Sequence, residues 1–156
     1  MFEIYLFLLA WLILFKFSIN IMGLSRIRNI NLIPFKGSKI TNGQLDVSEI
    51  MYNIVVFIPL GIYVNIFWND WFFGKKILIG FLLSIFFETI QFVFAIGASD
   101  ITDVMTNTLG GIIGVLCYIV LRSLFKKKTV SVVNGIGLTI EVLAFGLLAI
   151  LAIANM

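Results

Sequence analysis

Apolar residues dominate the chain in runs long enough to matter individually. A helix needs about 20 apolar residues to cross the hydrocarbon core of a bilayer. Five stretches meet that length, at roughly Phe2–Met22, Glu49–Trp68, Lys76–Gly97, Asp103–Arg122 and Val132–Asn155. The pattern predicts an all-α, polytopic membrane helix bundle of about five transmembrane helices. Lys16 stands close enough to the end of the first stretch to snorkel. That stretch carries Glu3 in place of a basic leader and is too long for a signal-peptide core, so it is expected to remain as a span. Gly23–Ser48 is the one long loop. Within it Pro34 imposes an extended or turned backbone on Ile33. It closes on Asp46-Val47-Ser48-Glu49, which reads as a capping box for the second span. Pro59-Leu60-Gly61 predicts a kink in that span.

Polar side chains interrupt the apolar runs at few places. Ionisable groups cost about 2.5–3.5 kcal/mol each at mid-membrane on insertion scales, so their positions carry information. Glu88 and Gln91, three apart on the third span, share a helical face. Along the fourth span Asp100, Asp103, Asn107, Gly110, Gly111 and Gly114 fall within an arc of roughly 100°. One stripe therefore runs from acids at the helix start to glycines deeper in. The glycines permit close approach of a neighbouring helix, or oligomerisation through the Gly110/Gly114 face. Asp100 also suits an N-cap, and Asp103 in the first turn suits the helix dipole. Glu88 bonded to Gln91 or Asn107 is the purely structural reading of that residue. Asn53 on the second span is positioned to join the cluster, whereas Glu141 in the last span reads as a packing or partner-facing residue.

Composition narrows the class. Hydrophobic residues make up 61% of the 156 residues and charged ones 12%, against roughly 25% charged in soluble domains. So small a domain could not hide that much apolar surface from water. The net charge of +3 comes from basic residues scattered between apolar runs, which suits lipid headgroups and gives no nucleic-acid signature. Lys75, Lys76, Arg122, Lys126, Lys127 and Lys128 would lie on one side, and Arg26, Arg28, Lys36 and Lys39 of the long loop on the other. That bias predicts a cytoplasmic N-terminus and an outside C-terminus. Cys117 is the single cysteine and there is no histidine, so intrachain disulfides and His-based catalysis or metal ligation within this sequence are excluded.

Four segments resemble a known family in order and spacing. They are NLIPF (Asn31–Phe35), NIVVFIPLG (Asn53–Gly61), ETIQ (Glu88–Gln91) and SDITDVMTNTLGGIIG (Ser99–Gly114). Together they resemble the VanZ-like family over about residues 25–122, within one domain spanning 1–156, with an additional helix at about 132–155. The resemblance implies a multi-pass protein of the bacterial cytoplasmic membrane, most often Gram-positive, and a family whose named member is associated with low-level resistance to teicoplanin and related lipoglycopeptides. It points to Asn31, Pro34, Phe35, Asn53, Pro59, Gly61, Glu88, Gln91, Asp100, Asp103, Asn107 and Gly110. Many members carry an Arg just before the first Asp of the last motif. This chain has Gly97-Ala98-Ser99 there, and a role served by that Arg would pass to a loop residue such as Arg26 or Lys36.

Three function classes remain. The leading one is a non-enzymatic factor at the outer face, acting on the drug or on access to lipid-linked cell-wall precursors. Its polar contacts would come from Asn31, Arg28, Lys36, Asn53, Gln91, Asp100 and Asn107. The second is an enzyme on a lipid-linked envelope substrate, with Glu88 and Asp103 as catalytic candidates and Glu88, Asp100 and Asp103 as oxygen ligands for a divalent cation. The third, a small transporter, has no internal repeat to support it.

Overall fold

The computed structural model describes residues 1–15, 29–35, 40–41, 44–45, 47–96 and 99–154. Among these residues five α-helices carry the architecture: α1 (Phe2–Phe15), α2 (Ser48–Phe67), α3 (Phe73–Phe94), α4 (Ile101–Phe125) and α5 (Thr129–Ala154). The described residues also form four two-residue strands: β1 (Ile30–Asn31), β2 (Ile40–Thr41), β3 (Gln44–Leu45) and β4 (Ser99–Asp100). The protein is an all-α membrane bundle. Ser48–Phe67, Phe73–Phe94 and Ile101–Leu143 are long and apolar enough to cross a membrane, and Phe2–Leu14 is a shorter apolar helix. Counted as continuous runs these make four, where the sequence suggested about five spans. The difference arises because Lys126–Lys128 stays helical as a 3-10 turn instead of opening into a loop. The first expected span is described only to Phe15, and its remainder lies outside the described residues.

The long run nevertheless folds back on itself. Lys126 has φ 49°, off the right-handed helical path. Continued straight, the helix would carry Asn134 about 30 Å beyond Gly114, at 1.5 Å per residue. Instead Tyr63 Oη donates to Asn134 Oδ1 at 3.4 Å, two residues along α2 from Gly61, which lies against Gly114.

Hydrogen bonds fix the helix directions. Asn53 pairs with Asp103 and Asn65 with the Val115 carbonyl, so the sequence offset stays at 50 along both helices. A constant offset means that α2 and α4 run parallel. α3 runs the other way, since Asn107 meets Ser84 while Asp100 meets Glu88. α1 also opposes α2: Phe2 packs on Phe67, and Tyr5 Oη donates to the Val56 carbonyl. The core between them is Leu9, Ile13, Phe57, Leu60, Val64 and Phe87, while Leu82, Phe86, Leu116 and Val120 face outward where lipid would lie.

Glycines bring α2 and α4 into backbone contact. A Cβ at Gly110 would overlap the Ile54 carbonyl oxygen, and one at Gly114 the Ile58 carbonyl oxygen. A Cβ at Gly61 would overlap the Gly111 carbonyl oxygen in the same way, while one at Gly111 would lie 4.0 Å from the Gly80 Cα of α3. The Gly110/Gly114 face proposed for oligomerisation is thus covered by α2 of the same chain. It is an intrachain contact, with no room left for a second molecule.

α2 follows Val47 and takes Pro59 into its helical span. The expected capping box opens on Asp46, which lies outside the described residues.

Candidate functional site

Most of the buried polar side chains among the described residues collect toward one end, where α2 and α4 begin and α3 finishes. Asp100 caps α4 as its sequence suggested, its Oδ1 accepting from the Thr102 amide at 2.8 Å. Its other oxygen, Oδ2, accepts from Asn31 Nδ2 at 2.9 Å. The loop segment is held there by backbone as well. β1 pairs parallel with β4, Ile30 opposite Ser99 and Asn31 opposite Asp100. The Ser99 amide donates to the Asn29 carbonyl at 2.9 Å.

Glu88 anchors that junction from below. Its Oε2 accepts from the Asp100 amide at 2.9 Å, and its backbone carbonyl accepts from Ser99 Oγ at 2.7 Å. On the far side of the loop the Phe35 amide donates to Thr102 Oγ1 at 2.9 Å. Phe35 holds φ 63°, a left-handed conformation that costs a bulky residue on the order of 1–3 kcal/mol. Such strain persists only where surrounding contacts impose it. The Thr102 bond and the Asn31 side chain, whose Oδ1 accepts from the Ile33 amide at 3.2 Å, are those contacts.

Deeper in, Asn53 Nδ2 donates to Asp103 Oδ1 at 2.8 Å and Asn107 Nδ2 donates to Ser84 Oγ at 2.8 Å. Gln91 Nε2 donates to the Ile13 carbonyl at 2.9 Å, tying α3 to α1. The amide oxygens of Gln91 and Asn107 are buried with no donor among the described residues. Among the described residues, this end therefore holds buried amide oxygens free to accept. A cavity of about 240 Å³ opens beside it, lined by polar Asn31, Glu88 and Asp100 and by apolar Leu32, Phe92 and Val104 among others.

The structure brings Asn31, Asn53, Glu88, Gln91, Asp100, Asp103 and Asn107 into one network end. Arg28 and Lys36 lie outside the described residues. The metal reading of the three carboxylates is not met: among the described residues no group of three or more His, Cys, Asp or Glu is arranged to hold a metal ion. Helix capping and the Asn31 bond take both oxygens of Asp100, while Asp103 turns toward Asn53. Three residues were missed by sequence reasoning. Ser84 was legible, four residues before Glu88 on the same face. Ser99 and Thr102 act through loop contacts that helical periodicity does not encode.

These buried bonds predict a measurable stability effect. Ser84→Ala leaves the Asn107 amide donor without its acceptor, a loss of about 1–2 kcal/mol. Unfolding of the purified protein in a detergent titration should show it, with exposed Thr139→Ala unchanged.

Comparison with known proteins bears on this arrangement. A sequence model of the VanZ/LLP1 family matches residues 2–122. The chain belongs to that family. The VanZ/LLP1 match takes in α1 to α3, β1, β4 and nearly all of α4, which includes every residue of the site. It begins well before the four motifs from which the resemblance was read. Protein VanZ of Enterococcus faecium is similar to this chain, 38% identical over 143 residues, covering 90% of this chain and 85% of that protein. No solved structure matches.

Proposed function

We propose that this VanZ/LLP1-family protein is a membrane factor of low-level teicoplanin resistance, working at the outer face of the bacterial cytoplasmic membrane as a binding protein. The observation that carries the reading is the cavity beside Glu88 and Asp100. Its lining combines the carboxylate- and amide-bearing Asn31, Glu88 and Asp100 with apolar side chains, and a strained, pinned loop segment borders it. An amphiphile with a donor-rich head, bearing hydroxyl, amide or ammonium groups, complements both kinds of lining. A lipoglycopeptide or a lipid-linked cell-wall precursor has that character. Arg28 and Lys36, which flank the pinned segment in sequence, would meet an anionic group on the same ligand.

Binding is favoured over catalysis by the way the acids are used. Asp100 caps a helix and holds Asn31, and Asp103 holds Asn53, so both serve as scaffold. The outward orientation rests on charge. Lys75, Lys76, Arg122 and Lys126–Lys128 gather at the opposite end, which the positive-inside rule assigns to the cytoplasm.

One labelling experiment tests orientation and ligand together. Leu32 lines the cavity and is largely exposed. In a Cys117→Ser background, Leu32→Cys should react with a membrane-impermeant maleimide in intact cells, and teicoplanin should slow the reaction. Labelling only after permeabilisation would contradict the orientation. Labelling unaffected by teicoplanin would contradict drug binding at this cavity.

A further inference from the structure

A second cavity, of about 430 Å³, lies at the opposite end of the bundle, remote from the site just described. Its polar lining includes Asn65, Asn69, Lys76, Tyr118, Arg122 and Ser123. Sequence reading used Lys76 and Arg122 only as orientation charges. The structure uses them differently.

Lys76 is only 9% exposed, in the first turn of α3. Its ammonium donates to Asn65 Oδ1 at 2.6 Å and to the Asn69 carbonyl at 2.9 Å. Arg122 donates through Nη1 to the Asn69 side-chain oxygen. Asn69 thus holds both cations at once, one by its backbone and one by its side chain. Every one of these partners is neutral. They satisfy hydrogen bonds but bring no opposite charge: no acid among the described residues lines the cavity, where Lys76 is buried and Arg122 lies at the surface.

Desolvating a charge without an opposite charge is costly, and holding two like charges together adds to it. The α3 N-terminus contributes the same sign, since the helix dipole is positive there and Phe72 supplies no side-chain cap. Asp70 is the described acid beside this cluster, and its carboxylate faces Asn69 Nδ2 at 3.4 Å on the exposed turn. It is turned to the amide and is not part of the cavity lining. An ammonium has three donors and a guanidinium five. Among the described residues, one N–H of Lys76 and several of Arg122 are therefore unused, and the hydroxyl-bearing Tyr118 and Ser123 line the same cavity. A tetrahedral anion uses such donors and removes the charge excess in one step.

We propose that this cavity binds a phosphate group, that of an anionic lipid headgroup. The apolar surroundings favour the lipid source over a soluble anion. Phe73 and Ile119 line the same cavity and stand largely exposed on the bundle's outer surface, a path for an acyl chain. Trp68 and Trp71 stack beside it, and Lys75 lies over the Trp71 and Phe72 rings at 5.7 and 5.5 Å. Exposed Trp with Lys is the composition of a membrane–water boundary, the depth at which phosphates lie.

Native mass spectrometry of the full chain tests this, with phosphatidylglycerol and phosphatidylcholine as probes and inorganic phosphate as the soluble arm. The wild type should retain phosphatidylglycerol over phosphatidylcholine. Lys76→Gln and Arg122→Gln should each weaken retention by about fivefold, the effect of one basic residue on anionic lipid. Lys127→Gln, which removes an exposed charge at the same end, should not. Because Arg122 is at the surface, its variant reads the site even if Lys76→Gln fails to fold. Displacement of the lipid by inorganic phosphate at matched concentration would keep the site and make the soluble anion its ligand. Equal retention by the wild type and both variants would overturn the proposal.

Discussion

Gly114→Leu should yield almost no folded protein, and Gly114→Ala should lose about 3 kcal/mol or more of stability. The reason is that the obstacle is backbone. A Cβ at Gly114 would overlap the Ile58 carbonyl oxygen and come within 3.0 Å of the Gly61 Cα. Overpacking an ordinary core costs about 1–3 kcal/mol because side chains can rotate away. Here no side chain stands in the way, so α2 and α4 must separate. Helix association in lipid lacks the hydrophobic drive available in water and depends on close packing. Separation also pulls Asn53 from Asp103 and Asn65 from the Val115 carbonyl. Gly135→Ala is the control, because a Cβ there meets nothing within 4 Å. It should be neutral or gain about 0.5–1 kcal/mol from better helix propensity. The yield of monodisperse protein and its thermal midpoint in detergent would show both effects.

Glu88→Gln should separate function from folding. Glutamine keeps an oxygen for the Asp100 amide, so β4 and the bound loop segment stay in place. The variant replaces the carboxyl group that lines the cavity. A hydrogen bond to a charged group is worth about 1.5–3 kcal/mol, which corresponds to roughly 10- to 100-fold in ligand affinity. Glu88→Ala goes further. It leaves the Asp100 amide without its acceptor and frees the loop junction, so stability and function should fall together. That contrast between the two substitutions would mark the carboxylate as a ligand group and not only as a strut.

Helical periodicity made one part of this site readable. It placed Glu88 with Gln91 and aligned Asp100, Asp103 and Asn107, and Asp100 at the start of α4 suited its cap. What periodicity could not say is which neighbour covers a face. The glycine stripe looked free for a partner, yet α2 of the same chain lies on it. Lys76 looked like a surface charge, and nothing local marked Asn65 and Asn69 as its acceptors. The bond from Asn31 to Asp100 spans 69 residues and rests on a two-residue parallel pairing. Strands that short leave no alternating pattern to read. The family motifs did flag Asn31, but as a residue in a series and not as the partner of a particular acid.

Teicoplanin susceptibility gives the most direct test of the central claim, that the Glu88–Asp100 cavity is a working ligand site at the outer face. A sensitive Gram-positive host would express the wild type or Glu88→Gln, with membrane levels matched by blot. The account predicts that the wild type protects and that Glu88→Gln, present at the same level, does not. Equal protection by the two would contradict it and leave the carboxylate a structural residue.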